Sequence, residues 1–317
     1  MFDFRLYFLI CLALGINACR ETEELGSPLR LTPYIQSGNI EEAQQLSLVT
    51  GLTPNITSYT GFLTVDEECD SNMFFWFFPA KNNYESNPIT LWLSGGPGVP
   101  SVHELLIAHG PYELTMDLEL KLREYSWNNE SSMLYIDNPV GTGFSFAKGV
   151  ECYSRNQSHI TQNLVNALEQ FFELFPELKE KKFFLAGESY AGHYIPSLGN
   201  AIHQGPTSIK NLEGFAIGNG LIDPINQANY SNLYYQLGLI DLKTKNEMAE
   251  IEKNMQVAIQ NGNYLEAYDL RDQATRGVLR NSAGFTQTMN FLYSKSPKQP
   301  DYGAFLDSPE VSKIMGF

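Results

Sequence analysis

Phe183-Phe184-Leu185-Ala186-Gly187-Glu188-Ser189-Tyr190-Ala191-Gly192 is the stretch whose reading decides the fold. Phe183 to Ala186 is a short apolar run with strand character, and the segment after Tyr190 suits a helix as far as Gln204. Ser189 stands between them, two residues after Gly187, with Ala191 and Gly192 beyond. A strand that turns directly into a helix brings two backbones close together, so small residues must flank the turn. A serine at its tip is held clear of its neighbours, which suits a nucleophile. Glycine usually occupies the second position past the serine, and here it is Ala191. The bare pattern also fits a structural turn with an ordinary serine. The strand before it and the helix after it favour the nucleophile.

Working outward, Ser58 to Val65, Met73 to Phe78, Ile89 to Leu93, Ser132 to Ile136 and Leu212 to Ile217 read as further strands. They are rich in aromatic and β-branched residues and bounded by polar clusters. Ile160, Leu164, Val165, Leu168, Phe171, Phe172 and Phe175 recur at helical spacing, and Pro176 closes that helix. Strands alternating with helices predict an α/β class: a mostly parallel sheet covered on both faces. After Pro224 the pattern changes. Asp241 to Gln260 and Asn263 to Leu279 favour helix with no strand between them. Residues 19–224 therefore read as the N-terminal part of the core, and 225–300 as a helical cap insertion. Residues 301–317 read as the start of a return to the core. There Ser308-Pro309-Glu310 opens a helix that ends near Gly316.

The 317 residues carry 21 Lys+Arg against 36 Asp+Glu, a formal net charge of −15. Such a surface repels phosphate backbones, so nucleic acid is not an expected partner. Hydrophobic residues make up 43%, enough to fill a core. Residues 1–18 read as a signal peptide: Arg5, an apolar run from Leu6 to Leu14, then small residues at Gly15 and Ala18. That run is too short to span a bilayer, and no later stretch is long and apolar enough. Of Cys11, Cys19, Cys69 and Cys152, the expected disulfide is Cys69–Cys152. Sequons at Asn55, Asn129, Asn156 and Asn229 are candidate glycan sites in a secreted chain.

Trp92-Leu93-Ser94-Gly95-Gly96-Pro97-Gly98 follows the strand that ends at Leu93. Adjacent glycines expose backbone N–H groups that can face a developing oxyanion. A tetrahedral intermediate needs two such donors. One comes from this turn and one from Tyr190, the residue after the serine. Together the two stretches make acyl transfer the leading chemistry.

At these residues the chain resembles the serine carboxypeptidase family, which has the α/β-hydrolase fold, and within it the vitellogenic-like carboxypeptidases. The resemblance runs through Leu31-Thr32-Pro33-Tyr34-Ile35, Gly61 to Val65, Phe74 to Phe78 and Trp92 to Gly98. It continues through His109-Gly110-Pro111-Tyr112, Ile136 to Ser145, Gly187 to Gly192 and Ile217 to Gly220. It implies a secreted or lysosomal peptidase that removes C-terminal residues at acidic pH. Its nucleophile would be Ser189, its oxyanion donors Gly96 and Tyr190. The family's carboxylate-binding group is two glutamates and an asparagine. Glu188 matches the first glutamate, the asparagine position is Ser94, and the second glutamate position is Ala108. Where the family has cysteine after the glycine turn, Val99 stands. Glu104, one helical turn before Ala108, is a candidate substitute.

A serine nucleophile needs a base and an orienting carboxylate, and in this fold both follow the serine. His103, His109 and His159 precede Ser189, and His193 and His203 lie on its own predicted helix. His193 thus reads as structural or surface. The resemblance puts the family's Asp and His past position 317, on last strands that this sequence lacks. The chain as given is therefore expected to be truncated and to hydrolyse weakly or not at all. Its expected partners are peptide or protein C-termini, with a homodimer as a candidate assembly and no metal or cofactor. Two other readings stand beside the peptidase: a non-catalytic homologue that binds peptides or partners, and an acyltransferase on the same scaffold.

Overall fold

The computed structural model describes residues 27–316, so the signal-peptide reading of residues 1–18 and Cys11 and Cys19 lie outside the described residues. Six strands form the main sheet, in the spatial order β1 (Tyr59–Asp66), β2 (Ser71–Phe78), β6 (Ser132–Ile136), β3 (Ile89–Leu93), β7 (Phe183–Glu188), β8 (Leu212–Gly218). β1 and β2 form an antiparallel hairpin, β2 pairs antiparallel with β6, and β3 lies parallel between β6 and β7. Tyr112–Leu114 and Leu120–Leu122 form a separate hairpin, β4 and β5. The part of the sheet that carries the candidate chemistry is thus parallel, and its turns leave from the same strand ends.

β2 explains why helices cover both faces. Every residue of Ser71–Phe78 is buried, and a strand sends alternate side chains to opposite sides. Phe75 and Phe77 meet Phe171 of α4 (Gln157–Leu174), and Phe77 also meets Phe175 just after it, with ring centroids 4.9–5.7 Å apart. Phe74, Trp76 and Phe78 join the opposite core with Phe62, Tyr112 and Tyr135. That core also takes Leu105 and Leu106 from α3 (Ser101–Ile107). Phe305, Leu306, Val311 and Met315 complete it from α11 (Tyr302–Leu306) and α12 (Pro309–Ile314). Asn156 caps α4 by accepting the His159 N–H at 2.9 Å, and Ser308 caps α12 by accepting from Val311. Cys69 and Cys152 are joined by a disulfide.

The segment before β1, to which the sequence analysis assigns no element, folds into two short helices, α1 (Thr32–Gln36) and α2 (Ile40–Ser47). Their polarity reflects exposure. Only Thr32, Ile35, Ala43 and Ser47 are buried in them, too few to show a helical period.

Contacts divide the chain into two compact units. Of the described residues, the first comprises 27–187, Tyr194–Ala216 and 301–316; the second comprises Glu188–His193 and Ile217–Pro300. Within the second, helices follow one another: α6 (Pro224–Gln227), α7 (Tyr230–Gln236), α8 (Leu242–Gln260) and α9 (Tyr264–Asp272). A π-helical stretch, Gln273–Val278, leads into α10 (Leu279–Ala283). Tyr234, Ile240, Met248, Ala274 and Leu279 form one small core, and Ala228, Met255, Ala258 and Ala267 another. Glu252 is buried and accepts the N–H groups of Tyr230 and Ser231 and the Ser231 hydroxyl, at 2.6–2.7 Å. It holds the start of α7 against α8.

Two stability outcomes follow from this packing. Phe171→Ala, which empties a fully buried ring site between β2 and α4, is expected to cost about 3–5 kcal/mol. The denaturant midpoint reads it, and a loss under about 1 kcal/mol would contradict the packing described. Glu252→Leu leaves two backbone donors and a hydroxyl without their acceptor, so exchange of the α7 amides should accelerate while the β2 amides stay protected.

Candidate active site

β7 runs to Glu188 and α5 (Ala191–Gln204) begins two residues beyond Ser189. Ser189 has φ 68°, the left-handed region that L-residues avoid. Three backbone bonds hold it there. Its N–H donates to the Gly218 carbonyl at 3.1 Å, and its carbonyl accepts from Gly192 at 3.0 Å and Leu221 at 2.8 Å. The glycine requirement is steric. A Cβ on Gly192 would lie 2.7 Å from the Leu221 backbone, and one on Gly220 only 2.4 Å from Ile217. Ala191, where glycine was the usual form, is fully buried, so the methyl is accommodated. Ser189, Glu188 and Tyr190 are all half-buried. The Tyr190 ring lies 4.7 Å from that of His193, and burial lowers the His193 pKa. His203 falls in the last turn of α5.

In the first unit, β3 ends at Leu93 and Ser94 is buried behind it. Ser94 Oγ accepts the Trp92 indole N–H at 3.1 Å, and its own N–H donates to Ser101 Oγ at 3.2 Å. The turn that follows closes through Val99 N–H to the Gly95 carbonyl at 3.1 Å. Gly96 has φ 109°, and a Cβ there would lie 2.8 Å from Gly98 N. Gly96 is exposed, and among the described residues its N–H has no hydrogen-bond partner. A fixed, outward N–H of this kind is what an anionic oxygen needs.

Ala108 is exposed and caps the C-terminus of α3, with its N–H on the Glu104 carbonyl at 2.9 Å. Glu104 and Ala108 are thus one turn apart, as the sequence suggests. The Glu104 carboxylate, however, bonds His103 Nδ1 at 2.7 Å, and the His103 ring packs against Tyr302 at 4.7 Å.

Two residues that sequence reasoning left without a role stand beside these. His109 stacks on Trp127 at 4.5 Å and meets Trp92 edge-on at 4.2 Å, and its Nδ1 lies 3.2 Å from the Tyr135 hydroxyl. Burial pushes its pKa down to about 4, so it stays neutral in mild acid. Asp137, fully buried at the end of β6, accepts the N–H groups of Val102 at 3.3 Å and Phe144 at 3.1 Å. Burial pushes its pKa up to about 7 against the pull of these donors and of the Ser101 amide. The clue in the sequence was an aspartate at a strand end followed by Asn138-Pro139-Val140-Gly141-Thr142-Gly143. Of the four sequons, Asn55, Asn156 and Asn229 are exposed. Asn129 is half-buried and its amide bonds Ser126 and Glu124.

The sequence profile of the serine carboxypeptidases matches residues 49–307. A venom serine carboxypeptidase of Apis mellifera is 44% identical over 87% of this chain and 61% of its own length. A vitellogenic carboxypeptidase of Aedes aegypti is 41% identical over 94% of this chain and 66% of its own. The chain therefore spans slightly less than two thirds of these relatives. A prohormone-processing carboxypeptidase from Saccharomyces cerevisiae superposes with a TM-score of 0.67 at 27% identity, over 86% of this chain and 65% of that one.

The Asp137 carboxyl predicts a pH signature. Its folded pKa of about 7 exceeds the ordinary 3.8, so its contribution to stability is full below the unfolded value and is lost as pH rises through about 7. Asp137→Asn removes that titration. Between pH 4 and 8 the native chain should lose up to about 4 kcal/mol relative to the variant. Parallel pH curves from urea melts would refute it.

Proposed function

Because this chain belongs to the serine carboxypeptidase family, we propose that Ser189 is its acyl-transfer nucleophile and that its substrates are the C-termini of peptides or proteins. The left-handed, three-bonded turn at Ser189 carries the reading. In this reaction Ser189 Oγ attacks the carbonyl carbon of the last peptide bond. The carbonyl oxygen takes the negative charge and accepts N–H bonds from Gly96 and Tyr190. The hydroxyl proton of Ser189 passes to the nitrogen of the leaving amino acid, and the C–N bond breaks as the tetrahedral intermediate collapses to an ester on Ser189. Water then attacks the ester and returns the serine. Glu188 and Ser94 are the residues assigned to the substrate carboxylate.

The secretory route belongs to the same proposal. The Cys69–Cys152 disulfide fits an oxidising compartment, and the relative from Apis mellifera is a venom protein. Glycans are assigned to the exposed Asn55, Asn156 and Asn229 in preference to Asn129. Among the described residues no helix is long and apolar enough to cross a membrane. Homodimerisation remains part of the proposal as an assembly state.

One observation favours a second reading, the non-catalytic binding homologue. Ala108 brings no carboxyl, Ser94 is bonded by the Trp92 indole, and Glu104 by His103. Recognition of a terminal carboxylate then falls largely to Glu188.

A fluorophosphonate probe separates the two. Native chain should gain one covalent label on Ser189, and Ser189→Ala none, and that substitution should abolish whatever release of the C-terminal residue from a blocked dipeptide the native chain shows. An unlabelled Ser189 in folded protein would support the binding homologue instead. Turnover of an acyl ester with transfer to an alcohol, in place of hydrolysis, would identify the acyltransferase.

A further inference from the structure

Asp137 joins three stretches of chain that lie far apart in sequence. Oδ1 accepts the Val102 N–H at 3.3 Å, just past the glycine turn's exit at Pro100. Oδ2 accepts the Phe144 N–H at 3.1 Å. The Asp137 carbonyl accepts the Ser145 hydroxyl at 2.6 Å, and Ser145 Oγ in turn accepts the Phe74 N–H of β2 at 2.9 Å. Gly143 closes the junction, since a Cβ there would lie 2.2 Å from Asp137 Oδ2 and 2.7 Å from Pro100 Cβ. No side chain can enter, so the glycine turn and the 143–145 loop are locked face to face.

From this junction we propose that Asp137 is a positioning residue for the reaction: it clamps the exit of the Gly95–Gly98 turn and so aims the Gly96 N–H. The proposal rests on the reading of Gly96 as an oxyanion donor. An N–H donor counts only when held at 2.7–3.1 Å from the developing charge, so a loosened turn costs rate more than substrate affinity.

The test uses the full chain and two variants. Asp137→Asn keeps the shape of the side chain and sets an amide NH2 against a backbone N–H. Ser145→Ala removes only the bridge to Phe74 and guards against a fold too damaged to read. Hydrolysis of a blocked dipeptide is measured together with hydrogen exchange of the peptide covering residues 95–102. Asp137→Asn is expected to lower kcat about 10- to 100-fold with KM within about threefold, and to speed exchange in 95–102 and at Phe144, whose N–H the same carboxyl holds, but not in β2 or α4. Ser145→Ala should move both the same way, by less. Unchanged kcat with native exchange overturns the proposal. So does a rise in exchange across β2 and α4 as well, which marks a purely structural residue. Should the native chain itself fail to hydrolyse, the functional reading falls on its own evidence. The exchange arm then decides the clamp: a rise confined to 95–102 and Phe144 supports it, and native exchange in 95–102 overturns it.

Discussion

The backbone of Ser189 is the constraint on which the candidate chemistry depends. A left-handed serine is about 1–2 kcal/mol less favourable than a relaxed one, and three hydrogen bonds from Gly218, Gly192 and Leu221 offset that cost. Those bonds require the strand end, the start of α5 and the chain after β8 to meet within backbone contact. That meeting in turn leaves no room for a side chain at Gly192 or Gly220. A motif that reads in sequence as a string of small residues is, in three dimensions, the space needed to hold one hydroxyl in place.

The glycine turn after β3 is built on the opposite principle. Its donor, Gly96, has no partner among the described residues because the turn's own closing bond uses Val99 and Gly95, and its ends are secured by side chains: Ser101 Oγ accepts the Ser94 N–H and Asp137 accepts the Val102 N–H. The nucleophile turn is thus held by main chain and the donor turn largely by buried polar groups. The Asp137 carboxyl responds to proton concentration; main-chain bonds do not.

Much of this was legible from local pattern. The strand and helix assignments, the serine turn and the glycine turn follow from apolar period and small-residue punctuation, which are properties of short windows. The cysteine count left more than one pairing open, and the Cys69–Cys152 choice is the one the fold makes. What stayed hidden depended on tertiary packing. Thr32–Gln36 and Ile40–Ser47 are helical with few buried residues to betray a period. Glu104 shows in sequence its distance from Ala108, but not that His103 takes its carboxylate. Asp137 and His109 acquire their roles from burial and from partners 7 to 35 residues away, as with Phe144 and Val102.

The disulfide encloses more than it joins. Cys69 and Cys152 are 83 residues apart, and between them lie β2, β3, α3, the β4–β5 hairpin and β6. A closure of that length removes about 4.5 kcal/mol of chain entropy from the unfolded state. It also makes this part of the fold covalently circular. The hairpin tip is one exposed point on that circle, with Met116 at 58% exposure. A protease that cuts there opens the ring without dividing the molecule, and both fragments stay attached through sulfur. Nicked and intact protein would then travel as one species until a reductant is added, so a purified sample can hold two covalent forms under a single mass band.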